Sequence, residues 1–309
     1  MDSLIAESVI SSCKMKILDK VIKCNGRSDV FEIIPIGDTH IGARSCAEKP
    51  LKKMIKEISG QPNTYVIGGG DWLDAIKPQD SKRFDFDVLP DWMIEGDALT
   101  TREKLNDVVE QQYERSIGIF EPIADKIIGI IEGNHEYSIR KYYNQNVHAG
   151  MCRRLHTTNL TDEALIRFRF QRNSACATII IYIRHGFGGG RTPGAEPNRL
   201  DRMLNEWEVA DVCFTGHSHT FDILPPKPVL GIPRTGTLPS ECSCRYRWAG
   251  NWGCWLYSHP SGASSYSSRA CYPARPMLTC KVVIKPFAQL TFGGVQRTSP
   301  HIELRSITI

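Results

Sequence analysis

Five short apolar runs, each meeting a glycine and a group of acidic, amide or imidazole side chains at its end, set the pattern of the chain as far as residue 219. Phe31-Glu32-Ile33-Ile34-Pro35-Ile36 runs into Gly37-Asp38-Thr39-His40, and Tyr65-Val66-Ile67 into Gly68-Gly69-Gly70-Asp71-Trp72-Leu73-Asp74. Ile127 to Ile131 leads to Gly133-Asn134-His135-Glu136, Ile179 to Ile183 leads through Arg184 to His185-Gly186, and Val212 to Thr215 leads to Gly216-His217-Ser218-His219. Short β-branched runs bounded by glycine read as buried strands. Open α/β sheets collect ligands at the carboxyl ends of such strands.

Helical patterns fill the intervals. Lys52 to Ile58 has helical composition, and Ser59-Gly60-Gln61-Pro62-Asn63 supplies a stop, so the opening reads as a β-α-β unit with parallel strands. Thr101 to Ile119 carries Leu105, Val108, Val109 and Ile117 on one stripe and predicts a single long crossover helix. Residues 75 to 98 form an insertion leaving from Asp74, expected at the rim of whatever site that residue serves. Beyond Glu136 lies a basic, aromatic helix candidate with Tyr137, Arg140, Lys141, Tyr142, Tyr143, Arg153 and Arg154; it reads either as a nucleic-acid track or as a solvated face. After Phe221 the chain changes to short extended pieces broken by proline and glycine, among them Ile223-Leu224, Val229-Leu230 and Lys281 to Ile284, expected to complete a second sheet.

Seven of the side chains at the strand ends, Asp38, His40, Asp71, Asn134, His185, His217 and His219, are nitrogen and oxygen donors too numerous for one tetrahedral ion. The set suits two divalent cations sharing a carboxylate. The blocks GDTH, GGGDWLD, GNHE, HG and GHSH, in that order and each behind a strand, resemble the calcineurin-like metallophosphoesterase superfamily over residues 37 to 219. In motif form they are nearest to its DNA double-strand-break repair exonuclease branch.

The resemblance implies an α-β-β-α sandwich of two mixed sheets flanked by helices. It implies that Asp38, His40 and His219 serve one metal and Asn134, His185 and His217 the other, with Asp71 bridging. His135 would meet the phosphate and leaving-group oxygen, oriented by Asp74 or Glu136. The reaction expected is phosphoester hydrolysis by a hydroxide held between two ions, with manganese the first choice and iron, zinc, cobalt or nickel compatible with the ligand set. Nucleic acid is the expected substrate, with Arg140 and Arg191 as candidate phosphate contacts. A phosphatase, a phosphodiesterase for nucleotides or other small molecules, and a non-catalytic scaffold of the same fold are the alternatives.

Composition changes this picture little. The chain has 309 residues, 41% of them hydrophobic and 23% charged, which is globular. The net charge of +4 is too small to establish a polyanionic partner by itself. Neither a secretory leader nor an apolar run of membrane-spanning length is evident, so a cytoplasmic protein without membrane contact is expected. Eleven cysteines then read as reduced thiols; the five late ones, Cys242, Cys244, Cys254, Cys271 and Cys280, lack paired C-x-x-C knuckles. Three tryptophans, Trp248, Trp252 and Trp255, gather late with Arg245 and Arg247, as a stacking platform, a subunit contact or a local core. The expected division is an N-terminal extension (1–28), a catalytic domain (29–240) and a C-terminal elaboration (241–309) that completes the sheet.

Overall fold

The computed structural model describes residues 15–80, 84, 86–188, 192, 194–231, 243–260, 274–292 and 295–309. Two six-stranded mixed sheets pack face to face. In the first, β2 (Phe31–Ile36), β3 (Thr64–Gly68), β4 (Ile127–Ile130) and β5 (Thr158–Asn159) run parallel, and the long antiparallel hairpin of β11 (Leu278–Phe292) and β12 (Val295–Thr308) extends the sheet from β2. The second has the order β1 (Lys16–Lys23), β6 (Glu163–Arg172), β7 (Ala175–Arg184), β8 (Val212–Thr215), β10 (Ser243–Asn251), β9 (Lys227–Gly231). The late strands therefore add an edge to each sheet, and Lys16–Lys23, within the expected extension, is itself an edge strand paired in parallel with β6.

Alternation along the strands explains the layering. Phe31, Ile33, Ile67 and Ile128 face the second sheet, where they meet Ile166, Phe168, Phe170, Ile179, Ile181 and Ile183 in one buried cluster. Ile34, Ile36, Val66 and Ile130 point the other way, toward α1 (Glu48–Ser59), α4 (Val108–Phe120), α5 (Asn134–Tyr143) and α6 (Val147–Arg154). The helix α1 buries Leu51, Met54, Ile55 and Ile58, one stripe at helical spacing. The outer face of the second sheet is covered by Leu200, Met203 and Leu204 of α7 (Ala195–Glu206), packed on Tyr182, Cys213 and Ala249. This is the helix, sheet, sheet, helix sandwich expected from the sequence.

The single crossover helix expected over residues 101–119 is instead two. The helix α3 (Ala98–Asn106) ends at Asp107, whose φ of −113° and ψ of 34° break the run before α4 starts. Adjacent Asn106 and Asp107 are weak helix formers that compete for the backbone with their own side chains. Between β3 and α3, the short helix α2 (Asp91–Ile94) carries Met93, which with Leu89 and Ala75 is buried in the helix-side core. The insertion is thus anchored as well as adjacent to Asp74.

Candidate metal centre

All seven predicted ligands leave the carboxyl ends of strands and converge between the two sheets. The first sheet supplies Asp38 and His40 after β2, Asp71 after β3 and Asn134 after β4; the second supplies His185 after β7 and His217 and His219 after β8. Five of them, Asp38, His40, Asp71, His217 and His219, hold the left-handed backbone region with φ between 45° and 68°. Such conformations cost energy in residues with a side chain and persist where the surrounding fold enforces them.

The donor atoms fall into overlapping groups. His40 Nε2 and His219 Nε2 are 3.0 Å apart, and Asp38 Oδ1 lies 3.8 Å from the former and 3.4 Å from the latter. Asp71 Oδ2 and Asn134 Oδ1 are each 3.1 Å from His185 Nε2, and Asn134 Oδ1 is 2.6 Å from His217 Nδ1. Asp71 also belongs to a third group with His40 and His135, and so stands between the other two. Asp38 and Asp71 are buried at the floor, whereas His219 and His135 keep 24% and 16% of their side-chain surface at the mouth.

The donor set suits a cation. Asp38 Oδ1 is buried and has no hydrogen-bond partner among the described residues. His185 Nδ1 is 2.8 Å from the Gly69 carbonyl, an acceptor only, so Nδ1 carries the proton and Nε2 presents a lone pair. That lone pair faces the oxygens of Asp71 and Asn134. Electron-rich atoms packed this way repel unless a proton or a metal sits among them, so the residues fit two divalent ions.

Without metal, protons take that place. Burial pushes the His185 imidazole down, but the charges of Asp71 and Asp38 outweigh it and lift its pKa to about 10. His40 is opposed by burial in the same way, and Asp38, Asp74 and Asp71 lift it to about 10. Burial raises Asp38 and Asp71, yet the histidines around them hold both well below the usual carboxylate range. His135 is held below the ordinary value by burial and, with Asp71 acting against it, by His40.

The structure places the predicted catalytic residues more finely than the sequence did. His135 opens α5 and its main-chain N–H donates to Asp71 Oδ1 at 2.9 Å. Its Nδ1 meets the main-chain carbonyl of Asp74, so of the two expected orienting residues Asp74 is the one in contact, through its backbone and not its carboxylate. Asp74 Oδ1 instead lies 3.6 Å from His40 Nδ1. Glu136 does not orient His135. It is buried and accepts the N–H groups of Asp71 at 3.0 Å, Trp72 at 2.8 Å and Leu73 at 3.1 Å, clamping the loop that presents Asp71.

Arg140, expected to contact substrate, is bound by both arms to the buried Glu132, with Nε 2.8 Å from Oε1. Arg191 lies outside the described residues. Of the late cysteines, Cys244 is exposed, Cys254 half-buried and Cys280 buried, and none joins a metal-compatible group among the described residues; Cys242 and Cys271 lie outside them. Of the late tryptophans, Trp252 and Trp255 are fully buried and Trp248 packs partly buried on the core, while Arg247 is buried on the carbonyls of Ala210 and Trp207 and Arg245 is paired with Asp211.

One of those tryptophans belongs to the site. Trp252 Nε1 donates to Asp38 Oδ2 at 2.5 Å, and the His217 main-chain N–H donates to the same oxygen at 3.0 Å. Both bonds fall on Oδ2, which leaves Oδ1 as the atom turned toward His40 and His219. The indole fits because a Cβ at Gly37, Gly69 or Gly216 would come within 2.5, 2.7 or 2.1 Å of it. The glycine in three of the five motifs thus makes room for a ring, a pairing that nothing in the motifs themselves signals.

No family model and no curated protein matches the chain. Among solved structures, a conserved uncharacterized protein from Streptococcus pneumoniae TIGR4, described as a predicted phosphoesterase, is 13% identical, with a TM-score of 0.33 over 88% of this chain and 99% of that one. The calcineurin-like phosphoesterase YfkN from Bacillus subtilis is 14% identical, with a TM-score of 0.32 over 90% of each chain. An NAD nucleotidase from Haemophilus influenzae is 12% identical, with a TM-score of 0.34 over 89% of this chain and 50% of that one. At TM-scores this low these likenesses carry no argument. No helix among the described residues is long and apolar enough to cross a membrane.

Proposed function

We propose that the chain is a two-metal-dependent phosphoester hydrolase. The observation that carries the reading is the pair of donor groups flanking Asp71, with His135 at their open side. Asp38, His40 and His219 would hold one ion, Asn134, His185 and His217 the other, with Asp71 shared between them. Two divalent ions so held would acidify a water molecule and neutralise the phosphoryl oxygens during in-line attack. With Nδ1 fixed on the Asp74 carbonyl, His135 has only Nε2, 4.0 Å from Asp71 Oδ2, free to exchange a proton with a bound ester. The donors are imidazole, carboxylate and amide without thiolate, which suits manganese as well as iron, zinc, cobalt or nickel; manganese is our first choice.

The finer reading is a phosphodiesterase acting on nucleic acid, in particular a DNA nuclease. Its support is α5, which leaves the site with Tyr137 and Tyr142 exposed and Lys141 over both rings. Aromatic faces beside cations suit bases and phosphates. The test is hydrolysis of bis-p-nitrophenyl phosphate, p-nitrophenyl phosphate and labelled single- and double-stranded DNA by metal-stripped protein resupplied with manganese. Cleavage of the diester and of DNA, lost in His135→Ala and Asp71→Asn, is expected. Turnover confined to the monoester would replace the nuclease with a phosphatase, and two tightly bound ions with no turnover would replace the enzyme with a scaffold.

A further inference from the structure

A cleft of about 320 Å³ opens along α5, and none of the seven donor residues lines it. One wall is α5, on which His135, Ser138, Ile139 and Tyr142 fall at i, i+3, i+4 and i+7 and so share a stripe. The other wall starts at Ala75, next to the residue whose carbonyl holds His135, and continues to Lys77, Gln79 and Asp80. Both walls lead back to the residues that fix the imidazole. Tyr142 is 68% exposed, and its ring lies seven residues, about 10 Å of helix axis, beyond His135. Lys77 is positioned within the cleft: its Nζ sits 4.1 Å above the Tyr143 ring and donates to Gln145 Oε1 at 3.0 Å.

Past Lys77 a second cleft of about 390 Å³ runs on between α4 and α6, but Asp107 and Glu110 line it. Two carboxylates there repel a continuing phosphate chain. The first cleft has one carboxylate, Asp80, which already has a partner, against two in the second.

We propose that the first cleft is the leaving-group subsite and that it takes a single nucleoside, its base stacked on Tyr142 and its polar edge toward Lys77. The proposal rests on the phosphoester hydrolysis argued above and names the leaving group of that reaction. Hydrolysis breaks the bond between phosphorus and the leaving oxygen, joins the water oxygen to phosphorus and returns one proton to the departing alcohol. His135 Nδ1 meets the Asp74 carbonyl, next to Ala75 of the cleft wall, and that alcohol would depart on this side. A subsite one nucleoside long favours strand ends and dinucleotides over internal positions.

The test compares leaving groups on a common phosphoryl group: a dinucleotide against the 3′- and 5′-methyl esters of its nucleotides, with the manganese-loaded full chain. The expected result is a kcat/KM preference for the nucleoside of about tenfold or more. Tyr142→Ala should bring the ratio near unity, and Lys77→Gln should lower it mainly through KM. An unchanged ratio in a folded Tyr142→Ala variant would overturn the subsite while leaving the hydrolase reading intact. Should only monoesters turn over, nucleoside monophosphates against methyl phosphate read the same subsite, and the diester reading alone fails. Nucleoside binding followed by ligand-detected NMR gives a readout without turnover. Weaker binding to Tyr142→Ala than to the parent supports the subsite, and equal binding removes it.

Discussion

Replacing Trp252 by phenylalanine isolates one hydrogen bond to Asp38, a buried carboxylate proposed to hold metal. Asp38 has two donors, both on Oδ2, and the indole N–H at 2.5 Å is one of them. A hydrogen bond to a charged group contributes about 1.5–3 kcal/mol, and removing an outer partner of a metal ligand commonly weakens binding about 10- to 100-fold. Phenylalanine keeps an apolar ring between Gly37, Gly69 and Gly216, so the fold should lose only about 1–3 kcal/mol, chiefly from the space the smaller ring leaves. Titration calorimetry with manganese, resolved into two sites, should show the site of Asp38, His40 and His219 weakened about 10- to 100-fold and the site of Asn134, His185 and His217 little changed. If a folded Trp252→Phe variant binds both ions within twofold of the parent, the indole is packing alone and the orienting role fails.

Four shorter predictions follow from the same geometry. Because His40 and His185 have pKa values of about 10 without metal, both are protonated at pH 7, and binding must expel those protons. Calorimetry in buffers of different ionisation enthalpy should show about two protons released, with affinity rising steeply between pH 7 and 9; pH-independent binding would refute it. The same raised values mean that the stability these two groups give the metal-free protein is complete below pH 6.5 and is lost as pH rises through 10, which thermal melts without metal would show. Glu136→Gln, which replaces one oxygen of a carboxylate accepting three N–H groups, should destabilise the fold by about 1–3 kcal/mol and loosen the Asp71 loop, read as a lower melting temperature and weaker manganese binding. Arg140→Ala leaves Glu132 buried without its partner and should cost about 1–2 kcal/mol of stability with KM for DNA unchanged, whereas a raised KM at unchanged stability would restore Arg140 as a substrate contact.

The donor groups were legible in the sequence because each ligand sits within a few residues of a glycine that ends an apolar run, and strand ends of one sheet share a side. What supports the ligands was not legible, because it comes from afar. Trp252 is 214 residues from Asp38 and reads as one member of an aromatic cluster. Glu136 adjoins His135 in sequence, yet one residue on a helix turns the side chain by about 100°, and it faces the Asp71 loop instead. Arg140 looked like a phosphate contact because composition shows charge without partners, and Glu132, two residues before the motif's asparagine, takes it. The break between α3 and α4 escaped the apolar stripe because Val108 and Val109 keep the hydrophobic pattern running across Asp107.

Each proposed ion draws its ligands from both sheets: Asp38 and His40 face His219, and Asp71 and Asn134 face His185 and His217. The proposed ions would therefore rivet two layers that are otherwise joined at that end by apolar packing and a few hydrogen bonds, those of Asp38 with Trp252 and His217 and of His185 with Gly69 among them. Ion binding then reports docking of the sheets, since neither layer alone offers a complete group. Chelation should loosen the seam before either sheet frays, and hydrogen exchange should show this as amides after β2 and β8 opening together when the ions are withdrawn.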